Sequence, residues 1–142
     1  MPKHKGPIRR AILKFLYKSG MIKLSFYTSA FIWHRIHRKK EQMTVTDVHH
    51  LFYIDFLKVP PDKMEIIRQT EKSITTLVSH DCPILKMAAT INEDTRKMCL
   101  NTSKGPCKYF IRKLGANIRV DNDYYHIRPH YPKCRETISI LN

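Results

Sequence analysis

Acidic side chains are missing from the first part of this sequence. The first is Glu41, and eleven Lys and Arg residues precede it. Residues 41–94 carry five basic and nine acidic residues, whereas residues 95–142 carry ten basic and three acidic ones, so the formal net charge of +14 is concentrated in two basic segments. Cations laid along phosphates release condensed counterions, so this pattern favours a polyanion as the partner. The alternative is a basic surface that serves only solubility.

Other features are scarce as well. The four glycines do not cluster, which argues against a Gly-rich loop that cradles phosphates. The longest uncharged apolar run, Leu24–Trp33, has ten residues, about half of the roughly 20 needed for a membrane-spanning helix. Charged residues also occupy the place of a secretory signal, so the four cysteines are expected to be reduced thiols in the nucleus or cytoplasm. A mitochondrial presequence is the alternative interpretation of the acid-free N-terminus.

The length of 142 residues fits one domain overall. Residues 1–40 form a basic amphipathic arm with the first helices. Residues 41–142 form a helical core that ends in a basic helix plus a hairpin. The sequence leaves the oligomeric state open.

Two helices are expected in the basic arm. The first, over 7–19, has Gly20 as its stop, and it is expected to be an amphipathic core helix whose basic side faces solvent. A helix lying on a membrane surface has the same signature. Residues 21–33 suit a strand or a second buried helix, of which the helix is favoured. The apolar face of the first helix consists of Ile8, Ala11, Ile12, Phe15 and Leu16.

The acidic central stretch is expected to be helical scaffold. One helix is predicted from Thr46 to Leu57, ended by the two prolines that follow. Apolar residues at roughly helical spacing then predict a longer helix from Pro61 to about His80, and a shorter one follows over 83–91.

The last third predicts a helix followed by a hairpin. Ser103 is expected to cap a helix that runs to Leu114, and Gly115 to end it with a positive φ. Apolar positions then alternate on either side of a turn predicted over 121–123. This element order resembles that of winged helix-turn-helix domains, although no sequence motif supports the resemblance. The predicted fold class is mainly α with a C-terminal β-hairpin, a winged-helix-like small domain with a basic N-terminal helical arm.

The predicted function is non-enzymatic nucleic-acid binding, with DNA favoured over RNA, through the basic helix-hairpin unit and the basic arm. Arg112 is the strongest candidate for reading a base, because its planar guanidinium can bond guanine O6 and N7 together. The candidate contact residues are Arg9, Arg10, Lys14, Arg35, Arg38, Lys39, Lys40, Lys104, Lys108, Arg112, Lys113, Arg119 and Arg128. The alternative function is a protein-interaction or structural subunit of a ribonucleoprotein, chromatin or viral assembly.

No cofactor or catalytic group is expected. Cys99, Cys107, His126 and His130 form a weaker alternative as zinc ligands, because the two histidines have a zinc-compatible interval while the spacing of the two cysteines is unusual. His80 and Cys82 are too close in sequence to face one another as base and nucleophile. Tyr124 and Tyr125 alternate in direction, so one of the two is expected to face solvent or a partner.

Overall fold

The computed structural model describes residues 6–37 and 41–142. About 53% of the described residues are helical, which confirms the mainly α prediction. The α-helices of the described part are α1 (Pro7–Lys18), α2 (Met21–Ile36), α3 (Val45–His49), α4 (Pro83–Ile91), α5 (Thr95–Thr102) and α6 (Lys104–Leu114). A π-helical segment, His50–Phe56, continues α3, and a 3-10 turn spans Pro61–Lys63. The strands are β1 (Met64–Gln69), β2 (Ser73–Val78), β3 (Ile118–Asp123) and β4 (Cys134–Ile140).

The C-terminal antiparallel strand pair is present, as predicted, and it belongs to a larger sheet. The strand order is β1-β2-β4-β3, and all three neighbouring pairs are antiparallel. β4 therefore lies between the strand that immediately precedes it and a strand from the middle of the chain. This placement joins the central and C-terminal thirds of the sequence in one sheet.

The predicted helix over 46–57 is confirmed, but it begins slightly earlier. Thr44 is its N-cap, where the threonine hydroxyl accepts from the Asp47 amide and the Asp47 carboxylate accepts from the Thr44 amide. This reciprocal pair satisfies two amide donors that have no partner within the helix. The helix then widens into the π-helical segment and stops at Leu57.

The predicted helix from Pro61 to His80 is wrong, because this stretch forms the β1–β2 hairpin. Residues 73–78 alternate between half-buried and buried side chains, with Ile74, Thr76 and Val78 pointing into the core. The helical prediction failed because the spacing of apolar residues is compatible with both structures, while the β-branched composition favours a strand. The Thr70 hydroxyl accepts from the Ser73 amide and so shapes the turn between the two strands.

The predicted tight turn over 121–123 is also wrong. Asp121, Asn122 and Asp123 continue β3 and pair with Thr137, Glu136 and Arg135 of β4. The return strand comes from 134–140 and not from 125–127, because the connection over 124–133 is a ten-residue loop. The acids expected in the turn are therefore strand residues.

Two expectations for the ends of α6 differ from the structure. Ser103 stands at the N-cap position, but its hydroxyl makes no cap hydrogen bond and lies instead between the thiols of Cys99 and Cys107, at 3.5 and 4.0 Å. Gly115 has an extended backbone with φ near −177°, not a positive φ. Gly20, in contrast, has φ +80° and ends α1 as predicted.

The main core lies between the sheet and the helices α2, α3 and α6. Phe110 is fully buried, and its ring centroid lies 4.2 Å from that of Phe56 and 4.8 Å from that of Trp33. On the sheet, Ile74, Ile138 and Val120 occupy paired positions on neighbouring strands, and all three are buried. This apolar row forms the floor on which the helices pack.

A second, smaller core lies under α1. It consists of the buried residues Ile84, Ala88, Ile91 and Met98 from α4 and α5, with Leu13, Tyr17 and Phe26 packed against them. The Tyr17 hydroxyl accepts from the Asn101 side chain at 3.2 Å, which ties α1 to α5. The two cores are separate clusters of buried residues.

One edge of the sheet is open to solvent. β1 is paired on one side only, and the register of the β1–β2 ladder shifts between Ile66 and Arg68. Such an irregularity marks a β-bulge, which bends and twists the strand. The residues of β1 after Met64 are exposed.

Phe110→Ala should lower the free energy of unfolding by about 3–5 kcal/mol, because it removes a fully buried ring and leaves a cavity. Phe15→Ala is the matched control, since the side chain of Phe15 is 68% exposed, and it should cost less than about 0.5 kcal/mol. Urea unfolding at equilibrium measures both. Equal losses for the two variants would contradict this arrangement of the core.

Candidate nucleic-acid interface and an interior cavity

The helix α6 has one buried side and one basic side. Pro106, Phe110, Ile111 and Leu114 are buried, and Gly105 lies so close to the Tyr27 hydroxyl of α2 that any larger side chain would collide with it. The cations on the opposite side are exposed: Lys104, Lys108, Arg112 and Lys113. The predicted amphipathic division of this helix is therefore present, and α6 is fixed to the core while it presents its charges to solvent.

Two of these cations lie against aromatic rings. The Lys104 ammonium lies 5.9 Å from the centre of the Tyr124 ring, and the Lys113 ammonium lies 5.7 Å from that of Tyr109. Cation–π contacts of this kind contribute about 0.5–1 kcal/mol at exposed sites. They hold the two side chains against the surface without neutralising their charge.

The other predicted contact residues are spread over the surface. Arg9, Arg10 and Lys14 are exposed on α1, Arg35 is exposed at the end of α2, and Arg119 is exposed on β3. The basic cluster Arg38, Lys39 and Lys40 lies outside the described residues.

Arg128 stands apart from the other predicted contacts. Its guanidinium Nη1 donates to the His80 carbonyl at 2.6 Å, on the inner side of the 124–133 loop. Burial and this nearby cation lower the pKa of His80. Arg128 therefore fastens the loop to the chain that follows β2.

The helices that carry most of the predicted contact residues have no acidic residues of their own. The helices α1, α2 and α6 contain no Asp or Glu. Among residues 6–37 and 41–142, no ion pair with a carboxylate involves Arg9, Arg10, Lys14, Lys108 or Arg112. The carboxylates pair elsewhere, as Glu65 of the outer strand β1 does with Lys133 at 2.8 Å. The segregation of charge in the sequence is therefore also a segregation in space.

The prediction that α1 is a core helix with its main apolar face buried is wrong. None of its residues is buried, and Ile8, Ile12 and Phe15 are 75%, 53% and 68% exposed. The helix rests on its neighbours through Leu13 and Tyr17, which lie on another side. Periodicity identified the largest apolar stripe correctly but could not reveal that a smaller one makes the contact.

The helix α2 has a similar uncovered side. Its uncovered apolar residues are Met21, Leu24, Phe31, Ile32 and Ile36. The favoured prediction that residues 21–33 are helical is confirmed, because they belong to α2. Ala30 and Trp33 of this helix are buried against the core. The first two helices together thus expose apolar and basic residues side by side.

The zinc alternative is not assembled. His126 pairs with Asp123 at 2.6 Å, and His130 lies 3.5 Å from Asp94, so each imidazole has a carboxylate partner. No group of three or more His, Cys, Asp or Glu suited to hold a metal ion occurs within the described ranges. Cys99 and Cys107 do lie near each other, through Ser103.

A cavity of about 530 Å³ lies between the two cores and is partly open to solvent. All four cysteines line it: Cys107 and Cys134 belong to the main core, and Cys82 and Cys99 to the smaller one. Burial raises the pKa of Cys99 to about 12 and raises that of Cys107 further. Thiols in this state remain protonated and behave as small apolar groups, which makes them weak nucleophiles.

Sequence reasoning missed Glu136, the carboxyl at the floor of this cavity. Its Oε2 accepts from the Tyr53 hydroxyl at 2.6 Å, and its Oε1 accepts from the Asn122 side chain at 3.0 Å. Burial raises the pKa of Glu136, while the bond from Tyr53 opposes this increase. One signal in the sequence could have pointed to Glu136. It is a single acidic residue within a segment rich in β-branched residues, where an unpaired charge is uncommon.

One of the two adjacent tyrosines faces solvent, as predicted, although both lie in the 124–133 loop and not in a strand. Tyr125 is 80% exposed, whereas the Tyr124 ring lies over the cavity with its hydroxyl buried.

No helix in the described part of the chain has the length and apolar character that crossing a membrane requires.

Glu136 makes stability depend on pH in a defined direction. Its raised pKa means that the folded chain binds this proton more tightly than the unfolded chain does. The stabilisation is present at low pH and is lost as the pH rises through the folded-state pKa. Because the Glu136→Gln side chain does not ionise, the variant should gain stability relative to the wild type as the pH rises. The gain should be about 1.4 kcal/mol for each pH unit that separates the folded-state pKa from the unfolded-state pKa.

Urea unfolding at several pH values from about 4 to 8 measures this difference. Glu71→Gln, on the exposed β1–β2 turn, is the matched control for loss of one acid. If the free energies of unfolding of the wild type and of Glu136→Gln change with pH in the same way, the pKa of Glu136 is not raised in the folded chain.

Comparison with protein-family models, with curated proteins and with solved structures finds no match to this chain. The inference of function therefore rests on the arrangement of its own residues.

Proposed function

We propose that this chain is a non-enzymatic nucleic-acid-binding protein that holds duplex DNA against the basic side of α6, with the basic surface of α1 adding non-specific affinity. The observation that carries the proposal is the uncompensated charge of a firmly packed helix. Lys108 and Arg112 are exposed one turn apart, have no acidic partner among the described residues, and belong to a helix whose other side is buried.

The geometry of α6 supports DNA over RNA. The major groove of B-DNA admits an α-helix, whereas the major groove of A-form RNA is too deep and narrow for side chains to read. A helix fixed by Phe110 and Leu114 loses little conformational freedom when it docks, so its charges are preorganised for phosphates.

The state of the thiols supports binding rather than catalysis. Cys82, Cys99 and Cys107 all have a pKa raised by burial. His80, close to Cys82 in sequence, has a lowered pKa and carries no positive charge that would stabilise a thiolate. A binding role needs none of these groups to react.

Lys108→Ala should weaken binding to all duplex sequences alike and lower the salt slope by about one, because a phosphate contact is lost. Arg112→Ala should cost about 1–3 kcal/mol on a preferred sequence and flatten the preference. Electrophoretic titrations against duplex DNA, single-stranded DNA and duplex RNA at two salt concentrations measure both effects.

Lys133→Ala is the matched control, because it also removes one cation, but one that pairs with Glu65 of the outer strand β1. It should leave affinity within about twofold of wild type, as expected for a charge outside the interface. The proposal fails if Lys108→Ala and Arg112→Ala bind DNA as the wild type does while a triple variant of α1 loses affinity. That triple variant combines Arg9→Ala, Arg10→Ala and Lys14→Ala. In that case α6 has only a structural role.

The exposed apolar stripe of α1 favours a second candidate function, that of a subunit in a larger assembly. An amphipathic helix with an open apolar side suits a groove on another protein. The acid-free sequence around it indicates that such a groove would be rimmed by acidic side chains.

Under this second function the isolated chain should self-associate at moderate salt, and Ile12→Gln with Phe15→Gln should make it monodisperse without lowering its melting temperature. Leu13→Gln is the control on the packed side of the same helix, and it should lower the melting temperature. Light scattering after size-exclusion chromatography measures the oligomeric state. A monodisperse wild-type chain would favour the free-standing DNA-binding protein.

A further inference from the structure

The cavity has apolar walls and a defined place in the fold. It separates the two cores, so helices α2, α4, α5 and α6 and the start of β4 all contribute to it. Phe26, Phe56, Leu85 and Ile127 add aromatic and aliphatic surface to that of the four thiols. Its volume of about 530 Å³ falls within the roughly 300–1,000 Å³ of small-molecule sites.

The rim of the cavity carries positive charge. Lys58 and Lys63 line it, are exposed and have no hydrogen-bond or ion-pair partner for their side chains among the described residues. The acids at the rim are already paired, Asp81 with Lys86 and Asp123 with His126. An anionic group at the mouth would therefore meet two available ammonium groups.

Lys58 has an unusual backbone conformation for a residue other than glycine. It has φ +56° and follows the π-helical segment, where the Val59 amide donates to the Tyr53 carbonyl at 2.8 Å and closes the helix end. This left-handed position favours glycine, which adopts it without strain. The helix end accounts for the conformation at position 58 but not for a lysine there, and this exposed lysine is one of the residues that line the cavity.

We infer that the cavity binds a fatty acid, with the alkyl chain between the two cores and the carboxylate at Lys58 and Lys63. Most of the wall surface is apolar and suits an alkyl chain, although the Tyr124 hydroxyl and the Glu136 carboxyl also line the cavity. The protonated thiols favour reversible binding over covalent capture. Cys107 faces this cavity, whereas Lys108 and Arg112 face solvent, so the site is distinct from the proposed DNA surface.

The test is a titration of the full chain with saturated fatty acids of increasing length, read by displacement of a fluorescent fatty acid, with chain-matched alcohols alongside. Each added methylene should tighten the dissociation constant by about fourfold until the cavity is full. The double variant Lys58→Gly, Lys63→Gln should weaken binding of the acid by roughly two- to tenfold and leave that of the alcohol unchanged.

This double variant is expected to fold, because both side chains are exposed and glycine suits the backbone at position 58. Ile12→Gln with Phe15→Gln is the control for adsorption to the open face of α1, and it should bind both ligands as the wild type does. Cys99→Phe, which adds volume within the cavity, should weaken acid and alcohol together.

The inference is overturned if the wild-type chain binds no fatty acid, if affinity does not change with chain length, or if the rim variant loses acid and alcohol equally. Binding abolished by Ile12→Gln with Phe15→Gln would also overturn it, since the ligand would then lie on α1. None of these outcomes tests the proposed binding of duplex DNA, which is measured by a separate titration.

Discussion

The half-buried hydrogen bonds of Glu136 join the helical layer of this protein to its sheet. Tyr53 comes from the π-helical segment and Asn122 from β3, and both donate to one carboxylate on β4. Beside this group, His49 and Thr76 bond at 2.9 Å in the same paired row of the sheet. A polar row inside an apolar core is tolerated only when its members find partners, so this row fixes how α3 sits on the sheet.

The sheet and the basic helices differ in how their charged residues are placed. The sheet and its loops carry paired charges, as with Lys133 and Glu65, whereas α1, α2 and α6 carry cations without acids. Self-repulsion among those cations destabilises the compact state. The large aromatic core around Phe110 offsets it, because the buried side of α6 packs against that core.

Sequence reasoning succeeded where a single local pattern decides the outcome. The two-sided composition of α6 and the helix stop at Gly20 could be read directly. It failed over 61–80, because the spacing of the apolar residues fits a helix or a strand, and the β-branched composition that favours a strand was given too little weight. The cavity and the role of Glu136 could not be predicted, since they depend on residues that are brought together from separate segments of the chain.

The bulge in β1 lies on an outer strand of the sheet. A straight outer strand would offer its unpaired amides and carbonyls to any other extended chain, including a second molecule of this protein. The shifted register between Ile66 and Arg68 breaks the regular spacing of those groups, and charged neighbours such as Glu65 disfavour an apolar strand beside it. The bulge therefore makes this edge a poorer template for fibrillar growth than a straight strand would be, although Ile66 and Ile67 are exposed on it.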